Sequence, residues 1–115
     1  QAIRGALGDK RGISRYGFVL PMDESLASVA LDFGGRFYLD FNAEFPESHA
    51  GDLPCDMVHH VFYSLAEHMQ ANLHITVKGD NTHHMVEACF KGFGRALRQA
   101  IQIEGTELPS TKGIL

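Results

Sequence analysis

The hydrophobic pattern changes period about halfway along the chain, and this change constrains the fold more than any other feature of the sequence. Near the start, apolar and polar residues alternate in three runs, as in strands with one exposed face: 15–21, 25–33 and 36–44. A helical period follows, first after Asp56, the expected N-cap, and again over 82–103, with a short strand at 73–77 between them. The order β-β-β-α-β-α predicts an α+β two-layer sandwich, a half-repeat with one sheet and two helices on one face.

Glycines mark the expected turns and ends of these elements. Gly34-Gly35, between the second and third runs, predicts a two-residue β-hairpin. Residues 1–8 are typical of the last turns of a helix closed by Gly8. Gly92 and Gly94 fall inside the second helix, which favours helix packing over a dinucleotide-binding loop as their explanation.

Composition narrows the class of protein. A chain of 115 residues has room for one core, and a net charge of −4 offers no general field for nucleic acid. No apolar run approaches the roughly 20 residues that a membrane helix needs. Cys55 and Cys89 lie far apart and form no CxxC, so we expect two buried free thiols in a cytoplasmic protein.

Two histidine doublets, His59-His60 and His83-His84, stand out among the seven histidines. Glu87 follows the second doublet at i+4 and i+3, spacings that put side chains on one helix surface. Adjacent helix residues point about 100° apart, so we expect His83 and His84 to address different ions. His60 falls on the polar side of the first helix, where it is either solvated or reaches a partner. The pattern favours a helix-borne metal site, with plain polar surface as the open alternative.

Basic residues occur in separate segments, and each alone is typical of a solvated charge. Arg and Lys combined with hydroxyl donors suit a phosphate dianion. A phosphate pocket is therefore a hypothesis for these basic residues combined with Ser110 and Thr111: Lys10, Arg11, Arg15, Arg36, Lys91, Arg95, Arg98 and Lys112.

Four collinear segments that cover nearly the whole chain resemble imidazoleglycerol-phosphate dehydratase, and most of all bacterial versions fused to a histidinol-phosphatase domain. The segments are GDKRGISRYGFVLPMDESLASVALDFGGR, GDLPCDMVHHVFYSL, NTHHMVEACFKGFGRALRQAI and LPSTKGIL. The HHxxE helix followed by the PS-x-KG ending is the most specific part. Phe37 stands where the family usually has Pro, and Pro54-Cys55 replaces a more usual polar pair. Neither departure touches a predicted ligand.

The resemblance implies a fold of two similar halves. Residues 9–115 would be the C-terminal half-domain, and residues 1–8 the end of a helix from the preceding half. It also implies a homo-oligomeric cage of about 24 chains in which another subunit completes each site. Each site would hold two Mn²⁺ ions, although imidazole and carboxylate ligands also suit zinc or iron. The metal ligands that this chain would supply are His60, His83, His84 and Glu87.

The implied activity is that of a lyase that removes water from imidazoleglycerol phosphate, giving imidazoleacetol phosphate in histidine biosynthesis. The imidazole ring would lie between manganese ions, with Glu87 as a ligand and a proton-transfer group. The resemblance assigns the substrate, chiefly its phosphate, to Arg15, Arg36, Lys91, Ser110 and Lys112. The alternative is a non-catalytic metal-binding half-domain or scaffold. Because the four metal ligands are divided between two ions, we expect this chain alone to be inactive.

Overall fold

The structure, a computed structural model, describes residues 1–19 and 24–113. Its elements in chain order are α1 (Ala2–Leu7), β1 (Tyr16–Val19), β2 (Leu26–Asp32), β3 (Tyr38–Ala43), β4 (His49–Ala50), β5 (Leu53–Pro54), α2 (Cys55–Met69), β6 (Asn72–Lys78) and α3 (Thr82–Ala100). A four-stranded sheet has the spatial order β1-β2-β6-β3, and β4 pairs with β5 separately. The predicted α+β class is confirmed.

β6 lies between β2 and β3, and the hairpin predicted at Gly34-Gly35 is therefore wrong. β2 pairs antiparallel with β6 over its full length, and β3 pairs with β6 in parallel. The register sets Leu31 and Leu39 on either side of Leu73. The core-facing residues of β6 are at most 3% exposed, so the central position lets this strand bury its apolar face between two neighbours. That burial decides the order of strands, whereas a glycine pair reports only a local bend.

Both helices cover one face of the sheet, as predicted. Alternate residues of β2 and β6 point into the core and the others are half-buried or exposed. α3 packs on β1 and β2, and α2 packs on β3. The opposite face carries exposed aromatic rings, among them Tyr16, Phe18 and Tyr38. The two-layer structure therefore exposes two surfaces, the polar sides of the helices and this face of the sheet.

The helix ends differ from the predictions by one to three residues. α2 begins at Cys55 with Pro54 as N-cap, so Asp56 lies in the first turn, where its charge favours the helix dipole. α3 ends at Ala100, and Ile103 instead pairs with Ile13 in an isolated β-bridge. The first strand run is confirmed over Tyr16–Val19, and its last residues, 20 and 21, lie outside the described residues. The β4–β5 pair was not predicted.

The two helix glycines have different surroundings. A Cβ on Gly92 would lie 2.9 Å from Val29 Cγ2, so helix packing explains this glycine as predicted. A Cβ on Gly94 would have no neighbour within 4 Å, so the same explanation is wrong there. Cys55 and Cys89 are buried and free, as predicted. Within the described ranges, no helix is long and apolar enough to cross a membrane.

Candidate metal and phosphate sites

The N-terminal end of α3 presents the HHxxE motif to solvent. The Asn81 side chain caps the helix by accepting a hydrogen bond from His84 N at 3.0 Å. Met85 and Cys89 are buried against the sheet, which turns His83, His84 and Glu87 outward. The cap and the apolar stripe of α3 therefore fix the direction of the motif.

His83 and Glu87 are neighbours on this surface. His83 Nε2 lies 3.7 Å from Glu87 Oε2, and Lys91 Nζ contacts Glu87 Oε1. The hydrogen bond and charge of Lys91 lower the pKa of the Glu87 carboxyl below its usual value, helped by His83 and His84. Glu87 is therefore a carboxylate at neutral pH, the form that binds a divalent cation.

His84 lies beside His83 at the start of α3. Their ring centroids are 6.1 Å apart, and the rings are inclined by 65°. Glu24 Oε1 contacts His84 Nδ1, a contact that the sequence analysis missed. Glu24 precedes β2, far from His84 in sequence, and no spacing rule connects the two. That the two histidines address different ions stays a prediction.

His60 lies elsewhere, in a largely apolar groove of about 410 Å³ between α1 and α2. Its neighbours there include Ile3, Ser64 and Leu65. Among the described residues, no group of three or more His, Cys, Asp or Glu side chains could hold a metal ion. The structure therefore does not bring His60, His83, His84 and Glu87 into one group. Their imidazole and carboxylate donors nevertheless suit manganese chemically.

The opposite end of α3 carries the first of the phosphate candidates. Arg15 donates to Asp32 through Nε at 2.6 Å and through NH2 at 3.3 Å, and its NH1 donates to Pro109 O at 2.9 Å. The hydrogen bonds to Asp32 raise the pKa of Arg15 further. Pro109 directly precedes Ser110, Thr111 and Lys112, so the Arg15 side chain contacts the segment that carries these three candidates.

Two other phosphate candidates are placed differently. Arg36 is exposed and follows Gly34, which lies against the Arg15 guanidinium, so Arg36 belongs to the same end of the sheet. Lys91 instead pairs with Glu87 and borders a surface groove of about 650 Å³ that also contains Arg95 and Arg98. The structure therefore groups Arg15 and Arg36 with the end of the chain, and Lys91 with the HHxxE motif.

A long distance separates the two groups. His84 and Ala100 are at opposite ends of α3, and a rise of 1.5 Å per residue puts them about 24 Å apart. Arg15 N donates to Ala100 O at 2.9 Å, so the arginine lies at the far end. Lys112 is three residues beyond Pro109, a span of at most about 10 Å. The two groups therefore begin at opposite ends of α3, with the Arg15 backbone about 24 Å from His84 along the helix.

The chain is an α+β two-layer half-domain, with a mixed four-stranded sheet and two helices on one face. One of these helices, α3, presents an HHxxE motif as an exposed histidine–carboxylate surface. The chain belongs to the imidazoleglycerol-phosphate dehydratase family, whose model matches residues 1–97. This match confirms the resemblance carried by the motifs.

Relatives and solved structures agree with this membership. The chain is 60% identical over 115 residues to the histidine biosynthesis bifunctional protein HisB of Stenotrophomonas maltophilia strain K279a, covering 100% of this chain and 32% of that protein. The HisB protein of Buchnera aphidicola subsp. Schizaphis graminum is 56% identical over the same share of each chain. The chain thus spans about a third of the length of these curated relatives.

Two crystal structures have the same fold. Imidazoleglycerol-phosphate dehydratase from Staphylococcus aureus superposes with a TM-score of 0.85 at 38% identity, covering 90% of this chain and 61% of that one. The enzyme from Pyrococcus furiosus, solved in complex with (S)-C348, gives 0.83 at 33% identity, covering 98% and 65%. The four-stranded sheet and its helices are therefore the fold of the family.

Proposed function

We propose that this chain supplies one half of a dehydratase that converts imidazoleglycerol phosphate to imidazoleacetol phosphate in histidine biosynthesis. The observation that carries the proposal is the outward HHxxE surface of α3 in a chain that belongs to the dehydratase family. Its relatives are named for histidine biosynthesis, and its solved neighbours for the dehydratase. The reaction class is therefore a carbon–oxygen hydro-lyase.

His83, His84, Glu87 and His60 would hold Mn²⁺ in this proposal. The bound metal would act as a Lewis acid on the substrate's imidazole ring and as a template for its orientation. Glu87 is kept ionised by Lys91 and can accept a proton as well as bind a cation. The exposed positions of His83 and His84 leave both rings open to a ligand from outside this chain.

The substrate phosphate would bind at the other end of the half-domain. Arg15 and Arg36 supply permanent positive charge there, and Ser110, Thr111 and Lys112 add hydroxyl and ammonium donors. Because the Arg15 backbone lies about 24 Å from His84 along α3, we infer that each active site combines the two groups from neighbouring copies. That combination supports a homo-oligomer in which neighbouring subunits complete the sites, working in the cytoplasm on a small phosphate ester.

Turnover by separated halves tests the proposal. We expect the chain alone to give no manganese-dependent imidazoleacetol phosphate, because its ligands are divided and the described residues contain no complete group. Addition of a separately expressed first half of the family's fold should give product formation, and a His83→Ala/His84→Ala chain should abolish it. Turnover by the chain alone near the rate of the mixture would show that the division of the active site is wrong.

A metal-binding scaffold is the second candidate. The HHxxE surface supports it as well, because His83 Nε2 and Glu87 Oε2 lie 3.7 Å apart on an exposed surface, and ligand donors alone do not give turnover. The same mixture separates the two functions. A scaffold would bind the first half and metal without forming product, whereas the dehydratase proposal requires product.

A further inference from the structure

The end of the chain is fastened to the segment that precedes β1. We refer to residues 102–113 as the C-terminal segment. Ser14 N donates to Gln102 O at 2.8 Å, and Gly12 N donates to Glu107 O at 2.9 Å. Because of these two bonds, the C-terminal segment runs back along residues 12–14 after the end of α3. Its last part, from Pro109 onward, then reaches the Arg15 side chain.

Arg15 joins the C-terminal segment to the sheet. The guanidinium meets both carboxylate oxygens of Asp32, the last residue of β2, and donates its third bond to the Pro109 carbonyl. The Arg15 and Asp32 side chains are only 18% and 31% exposed. A planar guanidinium held by two bonds to one carboxylate has its orientation fixed. The direction of the Pro109 bond is therefore set by Asp32.

The Arg15 backbone is held in an unusual conformation. Its φ is 71°, in the left-handed region that residues other than glycine rarely adopt. Two bonds maintain it, because Arg15 N donates to Ala100 O at 2.9 Å and Phe33 N donates to Arg15 O at 3.0 Å. Such backbone strain persists only where the surroundings enforce it, and it is common at ligand-binding positions. The conformation aims the side chain along the edge of the sheet toward the C-terminal segment.

We propose that Asp32 is a positioning residue that acts through Arg15 to hold Ser110 and Lys112 in place for an anionic ligand, a phosphate monoester. Lys112 N donates to Ser110 Oγ at 3.1 Å, so these two residues form one turn. The turn directly follows Pro109, whose carbonyl accepts a hydrogen bond from Arg15. Three of the five guanidinium N–H groups are used by Asp32 and Pro109, and within the described residues the other two stay available to the anion. The proposal rests on the proposed function for the identity of the ligand.

We call the three hydrogen bonds from the Arg15 guanidinium to Asp32 and Pro109 the clamp. Amide hydrogen exchange of the whole chain tests it directly. Asp32→Asn keeps the shape and one acceptor oxygen but removes the charge. We expect residues 104–113 to exchange at least about 10-fold faster, while the amides of β2 and β6 keep their wild-type rates. Asp40→Asn is the matched control, because Asp40 is another sheet carboxylate, and its Oδ2 lies 3.5 Å from Nδ1 of His74 on a different strand. Equal acceleration in the strands and the C-terminal segment would mean a purely structural role and would overturn the proposal.

Inorganic phosphate provides the second measurement. Titration calorimetry should give an affinity about 10-fold weaker for Asp32→Asn and unchanged for Asp40→Asn, a loss that corresponds to about 1.4 kcal/mol. In a Lys112→Ala background, Asp32→Asn should weaken phosphate binding much less, because the two residues act through one turn. Full additivity of the two substitutions would overturn the positioning role.

The two measurements separate failure of the clamp from failure of the proposed function. Normal exchange of the C-terminal segment in Asp32→Asn overturns the clamp and leaves the dehydratase proposal intact. Wild-type chain that binds no phosphate, but whose C-terminal segment is loosened by Asp32→Asn, contradicts the ligand assignment alone.

Discussion

The two ends of α3 differ in how far this chain organises its own chemistry. At the HHxxE end, His83 is 72% exposed, Glu87 is 43% exposed, and His60 lies in a separate groove. At the Arg15 end, three hydrogen bonds join a strand, a strained backbone and the C-terminal segment. A group that is built within one chain can bind alone, whereas a group of outward ligands needs a partner. Under the proposed function, the comparison teaches that folding of one chain would prepare the phosphate end, whereas assembly with a partner would complete the metal end.

The largest expected effect is at the metal end. Replacement of His83 and His84 by alanine should reduce Mn²⁺ affinity by at least about 100-fold, because even outer-shell partners change metal affinity by about 10–100-fold. Element analysis after gentle purification measures the metal content. A His49→Ala/His74→Ala chain is the control, since it loses two exposed histidines outside the motif. Equal metal content in the HHxxE variant and the wild type would remove the distinction between the two ends.

The middle of α3 joins the two ends and contains Gly92 and Gly94. Substitutions of these two glycines test how tightly the helix packs on the sheet. Gly92→Ala places a methyl group 2.9 Å from Val29 Cγ2, and we expect it to lower the free energy of unfolding by about 1–3 kcal/mol through overpacking. Gly94→Ala meets no atom within 4 Å and should raise it by about 0.5–1 kcal/mol through better helix propensity. Urea unfolding measures both. Identical stabilities would mean that α3 is not packed tightly on β2.

The phosphate end should respond to loss of Lys112 without any change at the metal end. Lys112→Ala removes an exposed ammonium beside the clamp, and we expect phosphate to bind about 10-fold more weakly, a loss of about 1.4 kcal/mol. Lys78→Ala, an exposed lysine at the end of β6, is the control. Metal content should be unchanged in both variants. Loss of metal with unchanged phosphate affinity would give the C-terminal segment a structural role.

The smallest expected effect is a pH-dependent change in the free energy of unfolding. It comes from Cys89, which is buried in the middle of α3. Burial raises the pKa of the Cys89 thiol to about 12, above its usual value of 9.0. Between these values the unfolded chain releases a proton that the folded chain keeps, so the free energy of unfolding falls as pH rises, by at most about 1.4 kcal/mol per pH unit. Comparison of the wild type with Cys89→Ala at pH 8.5 and 10 isolates this contribution. Equal slopes would mean that the thiol is not buried in solution.

Most of the fold followed from the period of the hydrophobic pattern. Alternation and helical spacing are properties of short segments, so they identified the four strands of the main sheet, the helices α2 and α3 and the core face, but not the β4–β5 pair. The order of strands did not follow, because β6 is placed by burial between β2 and β3 rather than by any local signal. Gly34-Gly35 is typical of a hairpin, yet Gly34 instead lies against Arg15 and Asp32.

The candidate sites were predicted from sequence to different degrees. His83, His84 and Glu87 share a helix, so their common surface followed from 3.6 residues per turn. The pairing of Arg15 with Asp32 joins the segment before β1 to the end of β2, and the contact of Glu24 with His84 joins a loop to a helix. Such contacts depend on tertiary structure, for which one sequence gives no spacing rule. The ligand roles themselves stay predictions.

The position of β6 also dictates an order of events during folding. β3 is synthesised well before β6, yet among the described residues β6 is its one partner in the four-stranded sheet and also completes the pairing of β2. Until residues 72–78 leave the ribosome, the β1–β2 pair and β3 each have an unpaired edge, and unpaired edges recruit strands from other chains. Closure of the sheet is therefore a non-local, late step, of the kind that slows folding and exposes intermediates to aggregation. A nascent chain stalled before Asn72 would therefore keep these edges unpaired and would be prone to aggregate.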